Sequence, residues 1–156
     1  MSDSISVDTP YTWTARVRWI GDQEATVYIR NHTFIVGPPA GFRQTDAHPS
    51  AVEYLLGALG AELTNGFQAQ AARAGITVDA LELSLSGHLG NALVALGVVG
   101  EIGDPGFSRI AGTLYVSADA DDTRLPAVWR TTLEQSPICN TLKSAVTLAV
   151  ELRIIP

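Results

Sequence analysis

The stretch EYLLGALGAELTNGF, residues 53–67, decides how this chain folds: it reads as a helix built for burial, yet it carries a glutamate at its centre. Helical neighbours lie three, four and seven positions apart. Glu62 therefore shares its face with Leu55, Ala58, Leu59, Gly66 and Ala69, which is not a solvent face. The helix is predicted to open near His48-Pro49-Ser50, with Pro49 suited to its first turn, and to close at Gly75. Each interior glycine costs a helix about 1 kcal/mol relative to alanine. Close approach of another backbone offsets that cost, so Gly57, Gly60 and Gly66 imply a helix packed tightly on its whole circumference.

Upstream, Thr12 to Trp19 alternates, with Trp13, Ala15, Val17 and Trp19 on one side, which is the period of a half-buried strand. ATVYIRNHTFIVG then predicts two more strands turning at Asn31-His32. Gly37 to Ser50 is rich in Pro, Gly and polar residues and predicts a loop. Downstream, ALELSLSGHL and RIAGTLYVSAD alternate as strands on either side of a glycine-studded apolar segment, NALVALGVVGEIGDPGF, which predicts a mobile or tightly turned cover. It has no GxxxxGK[ST] and no strand–GxGxxG–helix context, so it is not read as a phosphate cradle. TRLPAVWRTTLEQ places Leu125, Val128, Trp129 and Leu133 at helical spacing after Asp121-Asp122. SPICNTL follows as a second short helix, with Ser136 as its cap and Pro137 at its first position, and VTLAVELRII closes the chain as a strand.

The 156 residues suffice for one domain, 1–156, with a true core. A net charge of −6 excludes sequence-independent nucleic-acid binding, which requires dense Lys and Arg. Lys143 is the sole lysine and the nine arginines are scattered, so no basic membrane patch forms. No run approaches the roughly 18 apolar residues of a spanning helix, and MSDSISVDTPYTW lacks the pattern of a secretory signal; the expected location is cytoplasmic. Cys139 is the only cysteine, which excludes an internal disulfide and a multi-cysteine metal site. His32, His48 and His88 show no metal-ligand spacing, so neither a metal nor another cofactor is expected.

The order of elements, together with two motifs, resembles the family of osmotically inducible protein C and organic hydroperoxide resistance proteins (OsmC/Ohr). AVEYLLGALGAELT looks like that family's central-helix pattern, Met-Glu-Leu-Leu-Leu-Ala-Ala-Leu-Gly-Gly-Cys-Leu-Thr, with Val52 on the Met, Glu53 on the Glu and Glu62 on the Cys. SPICNTL is similar to its Cys-Pro-x-Ser-Asn, with Ser136 on the Cys and Cys139 on the later Ser. GDPGFSRIAGTLYVSAD has the look of the family's mid-chain strand and preceding loop. The resemblance implies an α+β fold with antiparallel sheets around a long central helix. It also implies an intertwined homodimer with pockets at the subunit interface. In the peroxidase members two pocket cysteines reduce organic hydroperoxides, assisted by a Glu and an Arg. Here Glu53 stands on that Glu, while Arg16, Arg18, Arg30 and Arg43 are all candidates for the Arg.

Both cysteine positions are changed, and the change excludes the family's chemistry at that place. A peroxidatic step needs a thiolate, and closing a disulfide needs a second thiol. Neither a carboxylate nor a hydroxyl can substitute. Glu62 is then either a carboxylate at the dimer seam, paired with an Arg or exposed by a local opening, or a pocket carboxylate whose desolvation favours its protonated form and poises it to move a proton. Cys139 is either a small buried hydrophobe or, at the third position of a capped helix, a thiol activated by the helix dipole. Ser136 reads as a cap, because no signature links it to a histidine base.

Three functions follow. The first is an enzyme without cofactor, with Glu62, Glu53 and Cys139 as the candidate catalytic residues. Leu55, Leu59, Ser136 and Trp19 are the candidates for contacting a small, mostly apolar organic molecule. The second is a binding protein that uses the same pocket without chemistry. The third is a thiol peroxidase relying on Cys139 and an external reductant.

Overall fold

The computed structural model describes residues 11–39, 47–120 and 123–156. The chain divides into two compact units, Met1–Tyr54 and Leu55–Pro156.

In the first unit, β1 (Arg16–Gly21), β2 (Glu24–Ile29) and β3 (His32–Val36) form an antiparallel meander in that order. Asp22 and Gln23 take positive φ, 45° and 64°, as the two central residues of a tight hairpin require. The second hairpin turns at Arg30-Asn31, one residue earlier than the sequence predicts, because Ile29 pairs with His32. Arg30 supplies the positive φ there, 53°. The strand expected from Thr12 begins at Arg16, and it is not half-buried: Val17 is 62% and Trp19 74% exposed. Alternation puts Val17 and Trp19 on one face, but no described residue covers that face. Arg16 lies over the ring of its cross-strand partner Tyr28, 4.1 Å from the centroid.

The long helix α1 runs Ala51–Arg73. Pro49 stands outside it, and the start is set by Ser50 and Glu53, whose carboxylate accepts both the Ser50 N–H and its hydroxyl at 2.7 Å. That is the Glu half of a capping box. The predicted stop at Gly75 holds: φ is +69°, Gly75 N donates to Ala72 O, and Ile76 N donates to Ala71 O. These are the two hydrogen bonds of a Schellman cap.

The second unit packs α1 with β4 (Thr77–Leu89), a short α2 (Ala92–Ala95), β5 (Phe107–Asp119), α3 (Leu125–Gln135), α4 (Pro137–Leu142) and β6 (Thr147–Ile154). The sheet order is β4-β5-β6; β4 and β5 are antiparallel as expected, whereas β5 and β6 run parallel. A parallel pair needs a crossover of a dozen or more residues, which α3 and α4 supply. The α+β class predicted from the sequence is the class observed, with a mixed sheet in place of a purely antiparallel one. The cover segment before β5 is tightly turned: Gly97, Gly100 and Gly103 all have positive φ. Asn91 caps α2 and also ties the segment to Glu101 and Ile102.

Leu59, Leu63, Phe67 and Ala71 recur every four residues along α1 and are fully buried against Ile110, Leu114, Val116 and Leu125. The ring of Phe67 meets that of Trp129 at 6.4 Å. Within one chain the helix is covered along this single stripe. A Cβ on Gly66 would meet Thr132 Cγ2 at 3.2 Å, so close approach is real there, but a Cβ on Gly57 would meet nothing within 4 Å. The chain's own sheet and α3 cover one side of α1 and leave the other open. Among the described residues no helix is long and apolar enough to cross a membrane. No cluster of three or more His, Cys, Asp or Glu that could hold a metal occurs among them either.

Candidate functional site

Ser136 breaks the chain between α3 and α4. Its extended backbone, φ −74° and ψ 116°, ends one helix and caps the next, with Pro137 in the first turn as the sequence predicts. Its Oγ accepts the Cys139 N–H at 3.0 Å and donates its own proton to Glu62 Oε2. The same Oε2 accepts the Ile138 N–H at 3.1 Å. Glu62 thus supplies an anion to the first turn of α4, where otherwise orphaned N–H groups point. Its other oxygen, Oε1, accepts no hydrogen bond from a described residue, and Glu62 is half-buried rather than enclosed.

Asn140 completes the junction. Its amide donates to Ser136 O at 2.7 Å, Glu134 O at 3.0 Å and Leu133 O at 3.2 Å, which satisfies carbonyls at the end of α3. Sequence reasoning missed this role, although the Ser-Pro-x-x-Asn spacing carries it. The kink that presents Ser136 to Glu62 is therefore locked from both sides.

Cys139 follows one turn later and is 7% exposed. Burial pushes its thiol above the ordinary range; Lys143 opposes that and Glu62 adds to it. Desolvation thus works against the activation that a helix N-terminus would give this thiol. Leu59 and Cys139 line one cavity, from which Glu62 and Ser136 are absent.

The other candidates do not join the pair. Glu53 is bound to Ser50, and the Ser50 hydroxyl, then the Ser50 N–H, hold its carboxyl below the usual carboxylate range. Leu55 is 36% exposed, and Trp19 lies in the N-terminal unit, also exposed. Arg16 lies over the Tyr28 ring, Arg18 stands on the same strand, Arg30 occupies the second hairpin turn, and Arg43 lies outside the described residues. What the structure assembles is Glu62, Ser136 and the N-terminus of α4.

Fold and site together define an α+β protein in which a carboxylate on a long helix is hydrogen-bonded to the cap of a short helix in the sheet's crossover. Residues 44–151, more than half of the chain, match the family described as OsmC-like protein. The chain belongs to that family. It is similar in fold to an OsmC-like protein from Mycoplasma pneumoniae, with a TM-score of 0.79 and 15% identity over 95% of this chain and 100% of the other. An OsmC-like protein of unknown function from Vibrio cholerae gives 0.71 and 15% over 92% and 99%. An organic hydroperoxide resistance protein from Legionella pneumophila gives 0.65 and 13% over 92% and 98%. A comparison with curated proteins finds no match.

Proposed function

We propose that this is a divergent, non-peroxidase OsmC-like protein: one domain per chain, two chains per functional unit, and at their seam a pocket where Glu62 exchanges a proton with a small, mostly apolar organic molecule. The observation that carries the reading is the Glu62–Ser136 hydrogen bond. Against the family motifs, Glu62 and Ser136 stand on the positions of the two pocket cysteines. The pair can move or accept a proton, and it cannot form a disulfide. Glu62 Oε1 is left available to a ligand while Oε2 is fixed, which is how a positioned general base is held.

Association of two copies is supported by apolar surface left uncovered. Trp19, Val17 and Ile20 on β1 are exposed, as are Val52 and Leu55 on α1. Exposed large apolar side chains such as Val17 and Trp19, side by side on one face of β1, mark an interaction surface. A second copy laid on the open side of α1 would also explain why Gly57 is glycine.

The hydrogen bonds from Ile138 and Ser136 favour one further reading. They give Glu62 a purely structural use as the anion that caps α4, in which case the pocket binds without turnover. The two readings separate on one experiment. Native mass spectrometry of the purified protein identifies any small molecule it carries, and conversion of that molecule is compared in wild type and Glu62→Gln. An enzyme loses turnover with the carboxylate; a binding protein shows no conversion in either form and only a modest change in affinity.

A further inference from the structure

The two oxygens of Glu62 stand in different circumstances. Oε2 accepts the Ser136 hydroxyl and the Ile138 N–H, whereas Oε1 accepts no hydrogen bond from a described residue. With two donors aimed at it, Oε2 has no place for a further proton, so whatever meets Glu62 does so at Oε1. No lysine, arginine or histidine among the described residues pairs with this carboxylate. Lys143, the only lysine, donates to Asn140 Oδ1 instead.

That arrangement selects the charge of a ligand. Glu62 is half-buried, and a molecule laid against it removes more of its water, which is costly unless the molecule brings an opposite charge or a strong donor. An anion would add like-charge repulsion. A neutral alcohol would offer a hydrogen bond roughly half as strong as one between two charged groups. The helix face selects the rest of the molecule: Ala58 stands one turn away and Leu55 and Ala69 two turns away, all exposed and uncharged. We infer that the molecule Glu62 meets is an organic amine with an apolar body, whose ammonium donates to Oε1. The inference rests on the reading of Glu62 as a ligand-facing group and names the chemical class that it receives.

Phenethylamine, phenethyl alcohol and phenylpropionate share a ring and a two-carbon chain and differ in the group at its end. Their binding to the full chain is read by isothermal titration calorimetry at neutral pH in wild type, Glu62→Gln and Glu82→Gln. Glu82 lies exposed on β4, and its loss controls for the attraction of any amine to a chain of net charge −6. In wild type the amine is expected to bind about tenfold or more tightly than the alcohol, with phenylpropionate weakest. Glu62→Gln is expected to erase that preference and Glu82→Gln to leave it intact. Equal affinities for amine and alcohol, no binding of the amine, or a preference that survives Glu62→Gln would overturn the inference. If Glu62→Gln does not fold, the order of the three probes in wild type and Glu82→Gln decides. Conversion of a carried molecule that depends on Glu62, without any preference for the amine, would sink this inference and leave proton transfer standing. An amine held through Glu62 without turnover would do the reverse.

Discussion

The Ser136 hydroxyl donates to Glu62 Oε2 across 74 positions of sequence, and the Ile138 N–H donates to the same oxygen. One carboxylate therefore joins the middle of the long helix to the start of the short one. Ser136→Ala removes both the α4 cap and the hydroxyl that meets Glu62, and loss of a cap of this kind costs about 0.5–2 kcal/mol. Urea denaturation should show that decrease, while Ser136→Thr, which keeps the oxygen, should recover most of it.

Cys139 makes the alkaline side of stability informative. Its thiol is pushed upward by burial, so the folded protein retains a proton that the unfolded chain has lost. The thiol's contribution is complete below its unfolded pKa and declines as pH rises through the folded value. Stability of the wild type should therefore fall above about pH 8.5, the pKa of a free cysteine. Cys139→Ala should flatten that decline in denaturation midpoints measured from pH 7 to 10. Hydroperoxide consumption, assayed with tert-butyl hydroperoxide and dithiothreitol, should be negligible and unaffected by this substitution.

Glu53 acts on the opposite limb. Its carboxyl is held low by the Ser50 hydroxyl and N–H, so its contribution is present above the unfolded carboxylate pKa. It is lost as pH falls through the folded value. Glu53→Gln should reduce the loss of stability between neutral and acid pH, as read from thermal midpoints. It should not alter the chemistry at Glu62, because Glu53 serves the start of α1.

Gly57 and Gly66 separate the covered side of α1 from the open one. In the single chain a Cβ on Gly57 meets nothing, so Gly57→Ala should stabilise by roughly 0.5–1 kcal/mol if that face is in water. If a second copy lies there, the same change should instead weaken association, which sedimentation velocity would show as more monomer. Trp19→Glu should have a similar effect by placing a charge in the exposed apolar face of β1.

The sequence was most informative where one local rule determined the outcome. Alternation in ALELSLSGHL and RIAGTLYVSAD located β4 and β5, Gly75 marked the Schellman stop, and Ser136-Pro137 marked the α4 cap. It was less informative where two effects compete or where the answer lies outside the element. The helix N-terminus suggested an activated Cys139, but desolvation opposes it and depends on the core around it. Alternation in β1 told which residues share a face, not what covers that face. The direction of β6 depends on the path of α3 and α4, so no pattern within VTLAVELRII reveals that it pairs parallel to β5. Glu62 was legible as an oddity, and its partners Ser136 and Ile138 emerged only from the fold.

The most direct measurement is conversion of the molecule that the purified protein carries, followed by mass spectrometry in wild type and Glu62→Gln under identical conditions. A positioned proton-transfer group is worth about 10²–10⁴-fold in rate, so the variant should be slower by that factor while still binding the molecule. Equal conversion by the two forms would contradict proton transfer through Glu62.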